Sequence, residues 1–147
     1  MRYWMYLGVV AMLAGCGGSS VSSQQAPQSG TPPGTTYTVP LRVNQPAAVA
    51  EENLALQMLS VNDSRCPAAA ICVWAGHAAV TISVARAGGS SEVIAIGTQA
   101  PAGMNLPYQA TYQSYRFTLK ALDPYPMQQA APADQYTATV QIEKIAP

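Results

Sequence analysis

Residues 79–96 read AVTISVARAGGSSEVIAI, and this stretch decides the fold. Apolar and polar side chains alternate in its first half, which places Val80, Ile82 and Val84 on one face of an extended segment. Residues 87–90 (AGGS) carry the glycines typical of a tight connection, and an apolar run follows. The stretch therefore predicts a β-hairpin with one buried face.

The same period of two recurs along residues 37–147, which we expect to form one domain. Strands are predicted at residues 35–43, 47–50, 54–62, 79–86, 93–96, 110–122 and 136–145. About seven short strands between turn residues predict an all-β fold, an antiparallel β-sandwich that is immunoglobulin-like, with a small β-barrel as the alternative. Tyr136 resembles the tyrosine corner of immunoglobulin-like domains.

Residues 63–76 read DSRCPAAAICVWAG and hold two of the three cysteines. Cys66 and Cys72 are separated by a short loop, and we expect a disulfide between them because residues 1–16 have the pattern of an export signal and exported compartments permit disulfides. Closing a loop of about seven residues contributes about 2.4 kcal/mol in the chain-entropy model. No metal site is predicted, because zinc requires more ligands than two cysteines and the distant His77.

Arg65, Trp74 and His77 are the candidate partner-binding residues. Arg65 is expected to form a salt bridge with Asp63 or hydrogen bonds with loop carbonyls. The alternative is an exposed guanidinium that docks into a partner. Trp74 is expected to pack on the disulfide and cap the core, and the alternative is an exposed indole that stacks on a ligand.

The first residues have the pattern of an export signal. Arg2 gives a basic start, and the apolar run at residues 3–13 is shorter than the roughly 20 residues of a spanning helix. Residues 13–16 (LAGC) resemble the lipobox of bacterial lipoproteins. That resemblance implies removal of residues 1–15 and acyl chains on Cys16, and this covalent lipid is the only prosthetic group predicted.

Residues 16–36 are rich in Ser, Gly, Pro and Gln, and they predict a flexible tether. About 20 such residues span on the order of 25 Å. Gly17 stands where lipoproteins of the inner membrane carry Asp, so the chain is similar to those of the outer membrane. We therefore expect a lipid-anchored protein of the bacterial cell envelope, at the outer membrane and facing the periplasm.

The motif DSRCP at residues 63–67, followed by CVWAG at residues 72–76, resembles one found in uncharacterised bacterial lipoproteins and small secreted β-domain proteins. Residues 122–126 (LDPYP) and 134–136 (DQY) are similar to the same group. The resemblance implies a shared domain and an envelope location, and it implies no activity.

Composition and spacing argue against several classes of function. Charged residues make up 10% of the chain and the net charge is zero, so no basic surface for nucleic acid is predicted. Asp63, Ser64 and His77 are candidates for a catalytic triad. Neighbouring residues of an extended chain point to opposite sides, however, so Asp63 and Ser64 do not readily face one histidine. We therefore predict no enzyme.

The predicted function is a membrane-anchored envelope lipoprotein whose sandwich is a non-catalytic binding or structural module. Its expected partners are the membrane, reached through the lipid anchor, and an unidentified envelope protein or cell-wall component. The alternative is a hydrolase inhibitor that presents the disulfide loop, residues 65–72, because a rigid loop lowers the entropic cost of docking.

The anchor is tested by Cys16→Ser. We expect this variant to accumulate as uncleaved precursor without acyl label, because the thiol that receives the lipid is gone. Metabolic labelling with a fatty acid and the mass of the intact chain measure both effects. A variant that matures and partitions normally would contradict the lipid anchor.

Overall fold

A computed structural model describes residues 34–145, which form two antiparallel four-stranded sheets packed face to face. Within that range the strands are β1 (Thr36–Arg42), β2 (Pro46–Val49), β3 (Leu54–Asp63), β4 (Ala78–Arg86), β5 (Glu92–Gly97), β6 (Gln109–Tyr112), β7 (Tyr115–Asp123) and β8 (Thr137–Lys144). Short 3-10 turns lie at Ala50–Glu52 and Ala133–Gln135. The predicted signal segment, Cys16 and nearly all of the predicted tether lie outside the described residues.

The predicted sandwich is confirmed, and its two sheets do not close into a barrel. One sheet has the order β1-β8-β7-β6 and the other the order β2-β3-β4-β5. Paired strands are neighbours in the chain, apart from β1 with β8, so the order is that of a meander. Immunoglobulin sandwiches use Greek-key connections instead. The likeness to that fold therefore lies in the two packed layers and not in the strand order.

The prediction of one long strand over residues 110–122 is wrong. The chain turns back within it, and Tyr112 of β6 lies opposite Tyr115 of β7. Gln113 sits in the turn with φ of 51°. Because neither turn residue is Gly, Asn or Asp, the sequence carries none of the usual signals for a two-residue hairpin turn.

A β-bulge interrupts the alternation in each sheet. The register shifts between Met58 and Ser60 in β3, and between Leu119 and Ala121 in β7. A bulge adds one residue and moves the following side chains to the other face. Leu122 is consequently buried three positions after Leu119.

The core lies between the sheets and is built from the inward positions of the strands. In β4 these are the residues that the alternation predicted, Val80, Ile82 and Val84, each almost fully buried. The largest fully buried side chains are Tyr115, Tyr136, Phe117, Leu41, Leu54, Met58, Ile82, Ile96 and Ile142, with smaller valines between them. None of the helices within residues 34–145 has the length and apolarity needed to cross a bilayer.

Glu52 joins the two sheets at the end where the chain enters β1. Its carboxylate accepts hydrogen bonds from the Tyr115 hydroxyl at 2.6 Å, the Tyr37 hydroxyl at 3.0 Å and the Lys144 ammonium at 2.8 Å. All three donors belong to the opposite sheet. The hydrogen bonds from Lys144 and then Tyr115 lower the pKa of Glu52 from 4.5 to about 2.

This lowered pKa predicts a specific pH dependence for Glu52→Gln. The ionised carboxylate stabilises the fold fully above pH 4.5, and that contribution is lost as the pH falls through about 2. We expect the variant to melt below the wild type at pH 6, and the difference in Tm to shrink towards pH 2. Glu51→Gln, at the exposed neighbouring carboxylate, is the control. A difference in Tm that stays constant from pH 6 to pH 2 would contradict this role.

Candidate functional site

The cysteine stretch forms an irregular extension of the β3–β4 hairpin. The regular ladder ends where Asp63 pairs with Ala78. Beyond it the Ser64 amide donates to the His77 carbonyl oxygen, and the Cys66 amide to the Ala75 carbonyl oxygen, both at 2.8 Å. The predicted disulfide between Cys66 and Cys72 is present, with 6.0 Å between the Cα atoms. The loop is therefore fixed at its base and closed at its tip.

Asp63 and Arg65 form an ion pair at the base of this loop. Arg65 Nε lies 2.8 Å from Asp63 Oδ1, and Arg65 Nη2 lies 2.7 Å from Oδ2. The Arg65 amide also donates to Oδ1. The side chain of Arg65 is 11% exposed, and that of Asp63 is 1% exposed. Such a two-pronged, largely buried pair holds its geometry far better than a surface ion pair does.

Arg65 also binds the opposite sheet. It donates to the carbonyl oxygens of Leu122 at 2.9 Å and Pro124 at 3.0 Å, and its guanidinium lies 4.6 Å from the centre of the Tyr125 ring. Both contacts expected from the sequence, the salt bridge and the loop carbonyls, are thus present. The alternative of an exposed docking arginine does not fit, because the donor groups are used within the domain.

Tyr136 completes the cluster from the start of β8. Its hydroxyl donates to Asp63 Oδ2 at 2.8 Å and accepts the Ala131 amide at 3.0 Å, five residues upstream, so the predicted tyrosine corner is present. Burial alone would raise the pKa of Asp63, but the hydrogen bonds from Arg65 and Tyr136 outweigh it and lower that pKa. We call Asp63, Arg65, Tyr125 and Tyr136 the aspartate–arginine network.

The disulfide loop is tied to the segment after β7 by three further hydrogen bonds. The Tyr125 hydroxyl donates to the Cys66 carbonyl oxygen at 2.9 Å. The amides of Ala68 and Ala69 donate to the carbonyl oxygens of Pro126 and Met127. The loop connects β3 and β4 of one sheet, and these hydrogen bonds also attach it to the segment that follows β7 of the other sheet.

Gly76 is required where the loop returns to β4. Its φ is 76°, and a Cβ atom there would overlap the Ser64 carbonyl oxygen. Only glycine accommodates both the left-handed backbone and this close approach. The conformation of the loop thus explains why the CVWAG motif ends in glycine.

An open groove of about 630 Å³ lies beside the loop, on the outer face of the β2–β5 sheet. Its floor consists of small outward residues of β3, β4 and β5. One wall is Trp74, and the other is residues 104–107 from the β5–β6 connection. The lining residues are Ser60, Asn62, Ser64, Trp74, His77, Ala79, Thr81, Ala95, Met104, Asn105, Leu106 and Pro107.

Trp74 departs from its predicted packing. It is 38% exposed and is not part of the buried core, so it does not cap the sandwich. Its indole instead faces the groove. The physical reason is that residues 64–77 leave the regular strand geometry beyond the ladder, which turns Trp74 away from the space between the sheets.

His77 connects the two walls of the groove. It is 5% exposed, and its Nε2 donates to the Pro107 carbonyl oxygen at 2.8 Å. Gly97 allows this approach, since a Cβ atom there would lie 2.6 Å from both the imidazole and the Pro107 oxygen. His77 therefore positions the β5–β6 connection, and its buried ring has little surface to offer a partner.

The groove contains no catalytic triad. Ser64 Oγ donates to the backbone carbonyl of His77 rather than to its ring, and Asp63 is bound to Arg65. Within residues 34–145 no three His, Cys, Asp or Glu side chains are grouped as metal ligands. None of the described residues lining the groove is Asp, Glu, Lys or Arg. The arrangement offers an aromatic ring, hydroxyls and amides.

An exposed apolar tip is formed by Ile71 of the disulfide loop and by Val73, just after Cys72. The exposed fractions of Ile71 and Val73 reach 105% and 104%, the values of side chains that touch almost nothing. Because the disulfide and the bonds to the segment after β7 fix the loop, these two side chains are held out in place.

The groove and the disulfide loop lie at one end of the sandwich, opposite the end at which the chain enters β1. Thr36, at the start of β1, pairs with Glu143 near the end of β8. Asp123, next to the disulfide loop, pairs with Thr137 at the start of β8. The length of β8, about 23 Å at 3.3 Å per residue, separates the two ends.

Comparison with protein-family models, with curated proteins and with solved structures gives no match for this chain.

The sequence singled out Trp74 and His77 but missed the rest of the groove. The missed floor residues include Ser60, Thr81 and Ala95, outward positions whose small side chains give no signal of a site in the sequence. The second wall, residues 104–107, lies in a connection that periodicity cannot place.

The aspartate–arginine network predicts a large effect of Asp63→Asn. The variant keeps the size of the side chain but leaves the largely buried Arg65 without its counter-ion. Breaking one partner of a buried pair costs about 3–5 kcal/mol, so we expect the free energy of unfolding to fall by that order. Urea unfolding measures it, with Asp134→Asn at an exposed carboxylate as the control. Equal stabilities of the two variants would rule out a dominant role for the network.

Proposed function

We propose that this chain is a lipid-anchored protein of the bacterial cell envelope whose β-sandwich is a non-catalytic binding module. The observation that carries this proposal is the uncharged groove beside Trp74, at the end of the sandwich opposite the chain entry. A tether attached before β1 would leave that end of the domain free for a ligand.

The lipid anchor is supported by the lipobox resemblance at residues 13–16 and by the composition of residues 16–36. Several acyl chains on Cys16 would anchor the protein stably, whereas one chain binds a bilayer only marginally. Gly17 supports the outer membrane as the destination, with the domain in the periplasm. The partner is then an envelope protein or a component of the cell wall within reach of the tether.

Binding rather than catalysis is supported by the chemistry of the groove. A general acid–base site needs a titratable group within reach of the substrate. Here the imidazole of His77 is buried with its Nε2 bound to Pro107, and none of the groove-lining residues within 34–145 is a carboxylate. The fixed geometry of the walls instead suits a preformed binding site.

A second candidate function is inhibition of a hydrolase by the disulfide loop, residues 65–72. The exposure of Ile71 at the tip of a fixed loop favours it. The docking group would then be the apolar tip and not Arg65, whose guanidinium is bound within the domain.

Photo-crosslinking in intact cells tests both candidates. Benzoylphenylalanine is placed at Asn105 on the rim of the groove, at Ile71 on the loop tip, and at Lys120 on the outer side of β7 as the control. We expect a discrete adduct from Asn105 that Lys120 does not give. A hydrolase captured from Ile71, with nothing from Asn105, would favour the inhibitor. The same pattern from all three positions would refute a dedicated binding module.

A further inference from the structure

We propose that the ligand of the groove is an uncharged glycan chain. This inference rests on the proposed binding function and adds the chemical class of the ligand.

Trp74 supplies the apolar platform that a sugar ring requires. A pyranose has a flat C–H face and a rim of hydroxyl groups, and an indole offers a broad apolar face with a polar edge. Trp74 is partly exposed, and among the described residues that line the groove it is the one Trp, Tyr or Phe. Its backbone lies between the disulfide at Cys72 and Ala75, whose carbonyl oxygen accepts the Cys66 amide, so the chain is held on both sides of Trp74.

The polar lining matches hydroxyl groups. Asn62 and Asn105 each present an amide that both donates and accepts, and the hydroxyls of Ser60 and Thr81 do the same. Sugar hydroxyls also donate and accept, so each finds a partner of either kind. Ser64 Oγ already donates to the His77 carbonyl oxygen, which leaves it as an acceptor for a ligand hydroxyl.

The absence of charge in the lining selects against ionic ligands. A carboxylate or phosphate moved into the groove would lose water without meeting a cationic side chain, and a cation would meet no carboxylate. Arg65 and Asp63, the nearest charged residues along the chain, neutralise each other.

A peptide strand is a poorer match than a glycan. The floor is the outer face of a sheet whose strand β4 pairs with β3 on one side and with β5 on the other. An extended peptide laid on this face could not add to the ladder, and side chains alone would have to satisfy its backbone amides. A glycan has no such repeating backbone donors.

The size and shape of the groove fit a short stretch of polymer. Its volume of about 630 Å³ lies within the range of about 300–1,000 Å³ for small-ligand sites. Because the groove is open, a chain longer than the bound stretch can continue beyond it.

Tryptophan fluorescence tests the inference directly. The sequence has two tryptophans, so Trp4→Phe in the full chain leaves Trp74 as the only one, whether or not the signal segment is removed. The protein is purified in a detergent without a sugar headgroup and titrated with N-acetylglucosamine hexamer, maltohexaose and galacturonic acid hexamer. The first two separate an N-acetylated cell-wall type of glycan from a glucan, and the third is the acidic counterpart.

We expect a saturable change in Trp74 emission with at least one neutral hexamer and none with the acidic hexamer. In calorimetry, Trp74→Ala should weaken that binding about tenfold, equivalent to about 1.4 kcal/mol. Val73→Ala, at the exposed neighbour that does not line the groove, should leave it unchanged. Circular dichroism shows whether each variant is folded, and Asn62→Ala gives a second lining position should Trp74→Ala unfold.

Absence of saturable binding by both neutral hexamers, or equal binding of the acidic one, would overturn the glycan assignment. If the groove position Asn105 still captures a partner in cells, the binding module stands and only the ligand class is wrong. If Asn105 captures nothing as well, both proposals fail.

Discussion

The ion pair between Asp63 and Arg65 is the interaction on which the functional end of this sandwich depends. It lies where β3 stops, and it reaches the opposite sheet through the Leu122 carbonyl oxygen and the Tyr136 hydroxyl. A disulfide across a short loop constrains only that loop. The ion pair fixes the loop relative to both sheets, and so it sets the position of Trp74 on the groove.

The same kind of hydrogen-bonded ion pair connects the two sheets at both ends of the sandwich. At each end a carboxylate from the sheet of β2 to β5 accepts hydrogen bonds from one tyrosine hydroxyl and one cation. Glu52 accepts from Tyr115 and Lys144, both of the opposite sheet. Asp63 accepts from Tyr136 of the opposite sheet and from Arg65 of its own loop. The core of buried hydrophobic side chains lies between the two ends. Fully satisfied polar groups at the rims specify how two apolar faces align, which burial alone does not.

Much of the fold was predictable because strand alternation reports burial directly. Val80, Ile82 and Val84 are buried as expected, and Cys66 and Cys72 form the expected disulfide. The β6–β7 turn was not predictable, since Gln113 gives no turn signal. The groove was only partly predictable: Trp74 and His77 were named, but their positions follow from loop contacts with residues such as Pro107, which no local pattern encodes.

Amide hydrogen exchange tests most directly whether the ion pair fixes the loop. The amides of Ala68 and Ala69 donate to the segment after β7, and Val140 reports the core. Arg65→Lys replaces the planar fork by a single ammonium that cannot make the same contacts. We predict slow exchange at Ala68 and Ala69 in the wild type, faster exchange in Arg65→Lys, and unchanged exchange at Val140. Equal exchange of the loop amides in both proteins would contradict the account.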